Sequence, residues 1–573
     1  MEKLVVAPRL ITRHIDHAAV QRLTAAGAHP LLARLWAARG VSEAGDIKRK
    51  WSALIPPSDL TQADHAARVL ADAIMQGKRL LIIADYDCDG ATACAVGLRA
   101  LRDMGANVDF LVPNRFETGY GLSPEVVQLA LAHAAGKPDM LITVDNGIAS
   151  VDGVAAARQA GMEVVITDHH LPGDTLPDAL AIVNPNHPQC GFPSKNLAGV
   201  GVIFYLMLAL RAELRRRGRF APDGGPRLDR LADLVALGTV ADVVKLDGNN
   251  RLIVTQGLKA MRAGQMQPGL RALFAVAGRD PAQAGAFDLG FALGPRINAA
   301  GRLADMSLGI RCLTTDDESL ALELARELDT MNQQRRVIEG AMREEALDSV
   351  ELAQPVIGAS VCVYQPDWHQ GVVGLVASRL KETYWRPALA FSRAEPGQLR
   401  GSGRSIPDVH LRDALDLVSK RHPGMILKFG GHAMAAGLTL DESRYDDFVS
   451  GFDEAVRTLA GRDSFEPVIE TDGSLESGYA NVEVAQMLAS EVWGAGFPSP
   501  VFRDVFRVAH QRLLKDKHLK LSLQRGEQRF DAIWFNHADT LPEFAEVAYR
   551  LDVNAWNGML SAQLIVEHAQ AAS

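Results

Sequence analysis

The chain has 573 residues, 47% hydrophobic and 23% charged, with a formal net charge of −9. That length exceeds one ordinary core and predicts three or four folded units of a soluble globular protein, while the average acidity decides little about partners because enzymes that bind metal cluster acids and group basic residues elsewhere. The five cysteines stand singly with no C-x-x-C, which points to a reducing cytoplasm and excludes a zinc ribbon or a disulfide frame.

Residues 1–50 show no basic-then-apolar signal architecture and read as a small helical cap. From about 79 to 245, short β-branched runs alternate with helical stretches. RLLIIA (79–84), VDFLVP (108–113), MLITV (140–144), EVVIT (163–167) and AIV (181–183) read as buried parallel strands, and segments such as SVDGVAAARQAG (150–161) have helix length. This βαβ alternation predicts an α/β fold with a doubly wound sheet, here assigned to 51–315. The longest apolar run, GVGVIFYLMLAL (199–210), is far short of the ~20 residues of a membrane span, so no membrane contact is predicted. Apolar residues at helical spacing across 316–352 predict one connecting helix of about 50 Å. A second α/β unit is expected over 353–462, and short strand-like runs such as HLKLSLQ and RFDAIWF predict a small β-barrel over 463–573.

The stretch IADYDCDGAT (83–92) begins like a calcium loop, but the twelfth position from Asp85 is Val96 and the preceding segment is a strand. A calcium loop requires a bidentate Glu there and flanking helices. The alternative lies in what ends the other runs: MLITV leads into Asp145, EVVIT into Asp168-His169-His170, and VALGTVAD ends at Asp242. Ligands of open α/β sheets sit beyond the carboxyl ends of the strands. Asp85, Asp87, Asp89, Asp145, Asp168, His169, His170 and Asp242 are therefore expected to converge on one crevice. Carboxylates with imidazole and no thiolate suit Mn²⁺ or Mg²⁺, and about two such ions would relieve the repulsion and serve phosphoryl transfer. Asp85 could instead cap the next helix, and Asp168 could only orient a histidine.

These motifs resemble the DHH phosphoesterase superfamily, in DYDCDG (85–90), VDNG (144–147), the DHH triplet (168–170) and GTVADVV (238–244). The resemblance implies Asp87 on one metal, Asp89 on the other, Asp145 bridging, and His169 and Asp242 completing the second site. It implies that His170 faces the scissile phosphate. PNRFETGYGLS (113–123), GVGVIFYL (199–206), GPRINAAGRL (294–303) and WHQGVVGLVASRL (368–380) narrow the likeness to the RecJ family of single-stranded-DNA-specific exonucleases. GSGRS (401–405) and GGHAMAAG (430–437) resemble its DHH-associated domain, and the terminal barrel its OB-like domain.

By that resemblance the chain is a two-metal 5′→3′ exonuclease of recombination and repair that releases mononucleotides. A single-strand binding protein and a helicase are the implied protein partners, and a monomer is expected. Arg115, Arg302, Ser402, Arg404 and His432 are the substrate-binding candidates, matching a pocket for the terminal 5′ phosphate. Arg512, Lys515, Lys517, Lys520, Arg525 and Arg529, with Trp493, Phe497, Trp534 and Phe535 nearby, suit sequence-independent grip of a single strand, the alternative for the aromatics being an ordinary core beneath a basic face. The competing readings are a DHH phosphodiesterase of short oligonucleotides or cyclic dinucleotides, and a DNA-binding scaffold without catalysis.

Overall fold

A computed structural model describes residues 7–47, 50–114, 120–353, 358–556 and 558–572. The chain divides into two compact units, one of 1–12 with 333–470 and the other of 13–332 with 471–573. No described helix is long and apolar enough to cross a membrane.

The larger unit is built on five parallel strands, β1 (Arg79–Ala84), β2 (Asn107–Leu111), β3 (Met140–Val144), β4 (Glu163–Thr167) and β5 (Ala181–Val183), in the order 2-1-3-4-5. β1 and β3 read as nearly unbroken apolar runs because helices cover both faces of the sheet. The order reverses between β1 and β3, so the loops after them diverge and leave a crevice at the carboxyl edge. Three helices complete that edge: α1 (Cys88–Asp103), α2 (Gly199–Arg216) and α3 (Ala232–Ala241). α2 is the long apolar run of the sequence, an all-round buried helix. The arginines at its end hold the following loop, Arg211 on the Pro226 carbonyl and Arg215 on that of Gly224.

Helix α4 (Gly294–Leu303) follows, then the connector α5 (Glu318–Ala353), about 54 Å at 1.5 Å per residue, which passes from the larger unit into the smaller. The smaller unit holds a mixed sheet of β6 (Val361–Tyr364), β7 (Ala388–Glu395), β8 (Gln398–Arg404), β9 (Ile426–Gly431) and β10 (Ala435–Asp441), with β8 between β7 and β10. The last five strands, Phe502–Leu514, His518–Arg525, Gln528–Trp534, Phe544–Trp556 and Met559–Ala571, close into a barrel.

The N-terminal region is helical over His17–Ala25 and Pro30–Ala37, but begins with a strand, Arg9–Thr12, paired with Val468–Thr471. The two helices share one apolar core with the parallel sheet and the barrel. Arg39 forms a bidentate pair with Asp472 at 2.7 and 2.9 Å, donates to the Pro498 carbonyl, and lies over the Trp493 ring. This corrects one expectation. Trp493 and Phe497 stack on each other, beneath Arg39 and Arg251 respectively, and so serve the packing under the barrel.

Candidate metal centre

The loops leaving β1, β3 and β4 deliver their acids to the crevice. Asp87, not Asp85, caps α1: one of its oxygens accepts the N–H groups of Asp89 and Gly90 at 2.9 and 3.0 Å, leaving the second for other partners. Ligand atoms of Asp85, Asp87 and Asp145 lie within 4.8 Å of one another. Those of Asp89, His169 and Asp242 form a second such group. Asp89 is held by the first N–H groups of α2, from Gly199 at 2.6 Å and Val200 at 2.9 Å. A Cβ on Gly199 would come within 2.5 Å of the Asp145 Cβ, so only glycine lets the helix end press this close. Asp242 arrives from the end of a helix, α3, not from a strand.

Both Asp145 and Val243 occupy the left-handed region, at φ 63° and 64°. Asp tolerates it; a β-branched residue does so only where its surroundings impose it. Val243 directly follows Asp242, so this strain fixes the exit of the chain beside a candidate ligand.

Burial raises the pKa of Asp89, Asp145 and Asp242, and the neighbouring carboxylates raise it further. Burial lowers that of His169, leaving a neutral imidazole with a lone pair to give. Asp145 Oδ1, His169 Nε2 and Asp242 Oδ2 are buried without a hydrogen-bond partner. They converge, His169 Nε2 lying 3.1 Å from Asp145 Oδ1 and 3.5 Å from Asp242 Oδ2. Buried polar atoms in native proteins are normally satisfied, so three orphans aimed at one another fit divalent cations with oxygen and imidazole ligands.

Asp168 and His170 behave differently. Asp168 accepts from the backbone of Ile148, His169 and His170 and lies 2.8 Å from His170 Nδ1, so its oxygens are occupied and it orients His170. Tyr120 donates to the Asp145 carbonyl at 3.2 Å and lies 3.3 Å from the His170 ring nitrogens. In the metal-free protein burial lowers the His170 pKa, but the hydrogen bond and charge of Asp168, with the charges of Asp85 and Asp242, outweigh it and push it up to about 9. Raised above its ordinary 6.5, this group contributes stability fully below about pH 6.5 and loses it as the pH rises through about 9. Asp168→Asn is expected to bring the metal-free His170 titration down to the ordinary range or lower, read from its ring protons by NMR. An unmoved midpoint would contradict the pairing.

Two residues of this site carried no role in the sequence reading. Tyr120 and Asn298 stand inside motifs from which only Arg115 and Arg302 were singled out, and nothing in their spacing points to the acids. Asn298, on α4, accepts the Cys88 N–H at 2.7 Å, and a Cβ on Gly301 would fall into the Tyr86 carbonyl. α4 thus props the acidic loop, with Arg302 partly buried at its last turn. Arg115 lies outside the described residues.

Ser402, Arg404 and His432 belong to the smaller unit. Arg404 donates to Ser402 Oγ at 3.2 Å, and a Cβ on Gly374 would come 2.9 Å from that oxygen and 3.2 Å from Arg404 Nη2. Both side chains therefore converge on the first turn of the helix Val373–Tyr384, an arrangement suited to an anion. His432 sits in the turn joining β9 and β10. On the barrel, Lys520 pairs with Asp531 and Arg525 with Asp504, so these two are partly neutralised. Arg512, Lys515, Lys517 and Arg529 are exposed. Trp534 stacks on His537, whereas Phe535 is exposed.

Sequence profiles of the DHH family N-terminal domain, the DHHA1 domain and the RecJ OB domain match residues 79–239, 354–458 and 471–568. The chain is 50% identical over 553 residues to the single-stranded-DNA-specific exonuclease RecJ of Dickeya dadantii, covering 94% of this chain and 95% of that one. It is 48% identical to the RecJ of Escherichia coli with the same coverage. Among solved structures, RecJ of Thermus thermophilus in complex with Mn²⁺ superposes with a TM-score of 0.83 at 30% identity, covering 100% of this chain and 80% of the other. The Mg²⁺ complex gives 0.77 at 28%, covering 99% and 79%.

Proposed function

The chain belongs to the RecJ family of single-stranded-DNA-specific exonucleases, and on that premise we propose that it hydrolyses single-stranded DNA from the 5′ end and releases mononucleotides. The observation that carries this reading is the buried convergence of Asp85, Asp87, Asp89, Asp145, His169 and Asp242, three of whose atoms lack any hydrogen-bond partner. These residues would hold two divalent cations, Mn²⁺ or Mg²⁺, which would supply Lewis-acid activation of water and charge neutralisation at phosphorus.

The remaining work falls to the chain itself. Asp89 is fixed by two backbone N–H groups and Asp87 by its cap, so neither carboxylate must reorganise when substrate arrives. His170, steered by Asp168 through its Nδ1, faces the scissile phosphate or the departing oxygen. Ser402 and Arg404, at a helix N-terminus, bind the terminal 5′ phosphate, and recognition of that end sets the direction in which the strand is consumed. Arg302 contacts the backbone of the strand. Exposed Arg512, Lys515, Lys517 and Arg529 on the barrel add sequence-independent, salt-sensitive affinity.

The test is a 5′-end-labelled single strand with Mn²⁺, beside a 3′-labelled strand and a duplex. Early release of labelled mononucleotide from the 5′-labelled single strand supports the reading. An intact strand, or first release from the 3′ label, overturns it. Arg404→Ala is expected to cut the preference for a 5′-phosphorylated over a 5′-hydroxyl strand by about tenfold or more, the loss of one charged hydrogen bond of ~1.5–3 kcal/mol. A preference left intact in kcat/KM would remove Arg404 from the phosphate site.

A further inference from the structure

Phe287 and Phe291 are 57% and 67% exposed, and Phe291 is the most exposed phenylalanine among the described residues. The two rings stack on each other, centroids 4.7 Å apart and planes at 23°. Phe287 precedes and Phe291 lies within a π-helical turn, Asp288–Leu293, that runs without a break into α4. Such turns are uncommon and frequently mark functional sites. A stacked pair of aromatic rings open to water offers a flat apolar face to a partner with a π face of its own.

The surroundings of the pair identify that partner. A Cβ on Gly290 would meet Val240, and one on Gly294 would meet Ala241, so the turn lies against the end of α3 that delivers Asp242. Further along the same helical run, Asn298 and Gly301 prop the loop of Asp85, Asp87 and Asp89. Phe291 stands seven residues before Asn298, about 10 Å at 1.5 Å per residue. One rigid element therefore carries the acidic loop at one end and a bare aromatic stack at the other.

We infer that Phe287 and Phe291 form a stacking platform for the nucleobases of the single strand, engaging it within a few nucleotides of the bond at the metal centre. The inference rests on the single-strand nuclease reading and names a subsite within it. Every base offers a π face, so the platform grips without reading sequence, and paired bases stacked inside a duplex cannot use it.

The test uses the full chain and 5′-phosphorylated oligonucleotides carrying 2-aminopurine at each of the first few nucleotides in turn or far from the end. Binding is read in EDTA, so stacking is measured whether or not the chain cleaves DNA, and failure of the nuclease reading is distinguishable from failure of this one. Wild type is expected to quench the near probe more than the distant one, and Phe287→Ala/Phe291→Ala is expected to lose that difference. Phe291→Leu, which keeps apolar bulk without a π face, is expected to lose most of it as well. With Mn²⁺, the wild-type preference for a long strand over a dinucleotide, as a ratio of KM values, is expected to fall about tenfold in the double variant, the order of one stacked base. Equal quenching in wild type and double variant overturns the inference. So does an unchanged KM ratio, or a change of oligomeric state in sedimentation, which would mean that a second copy covers the rings.

Discussion

Asp145→Asn is expected to abolish release of labelled mononucleotide, by about a thousandfold or more, and at the same time to raise the melting temperature of the metal-free protein. The two effects share one cause. Asp145 is buried among Asp85, Asp87, Asp89 and Asp242, and burial first, then their charges, hold its carboxyl well above the ordinary carboxylate range. A group that binds its proton more tightly folded than unfolded favours the fold at low pH and loses that contribution as the pH rises through the raised value. At neutral pH the metal-free wild type therefore carries an electrostatic cost that asparagine removes. With Mn²⁺ the order reverses, because cations neutralise the cluster in wild type and binding to the folded state stabilises it by mass action. Asparagine is the right probe because it tolerates the left-handed φ of 63°, which alanine does not. Melting curves with and without Mn²⁺ check this. A variant that melts lower than metal-free wild type, or keeps the full Mn²⁺-induced rise, would contradict the electrostatic account.

Asp472→Ala is expected to cost about 3–5 kcal/mol of stability, the usual result of leaving one partner of a buried ion pair alone. Arg39 and Asp472 each expose 1% of their side chains, and Asp472 also accepts the Val501 N–H at 3.0 Å. The pair ties the N-terminal helices to the segment entering the barrel, so the loss should appear as a lower urea midpoint for the larger unit. Replacing both residues with apolar ones of similar size should recover much of it, since the penalty lies in the stranded charge. A single variant within about 0.5 kcal/mol of wild type would show that water reaches the pair.

Much of the fold was legible because its signals are local. The strands of the parallel sheet announce themselves as β-branched runs, and four of the five end within a residue of where the pattern places them. The connector is one helix because nothing between 318 and 353 breaks it. The barrel follows from alternation in HLKLSLQ and RFDAIWF, where inward Leu519, Leu521 and Leu523 are buried. The N-terminal residues were least readable, since their role lies in Arg39 reaching Asp472, more than four hundred positions away.

The sequence by itself determined the chemistry on offer: acids and histidines at the ends of apolar runs, in a parallel-sheet order that sends such ends to one edge. Tertiary structure alone decided the division of labour among them. Asp87 became the cap and Asp85 did not, Asp168 turned to His170, and Asp242 came in on a helix. It also placed Tyr120 and Asn298 at the site and left Phe287 and Phe291 bare beside it. The physical reason is that a side chain's type is fixed by the gene, whereas its free lone pairs and exposed faces depend on which backbone donors and helix ends fold against it.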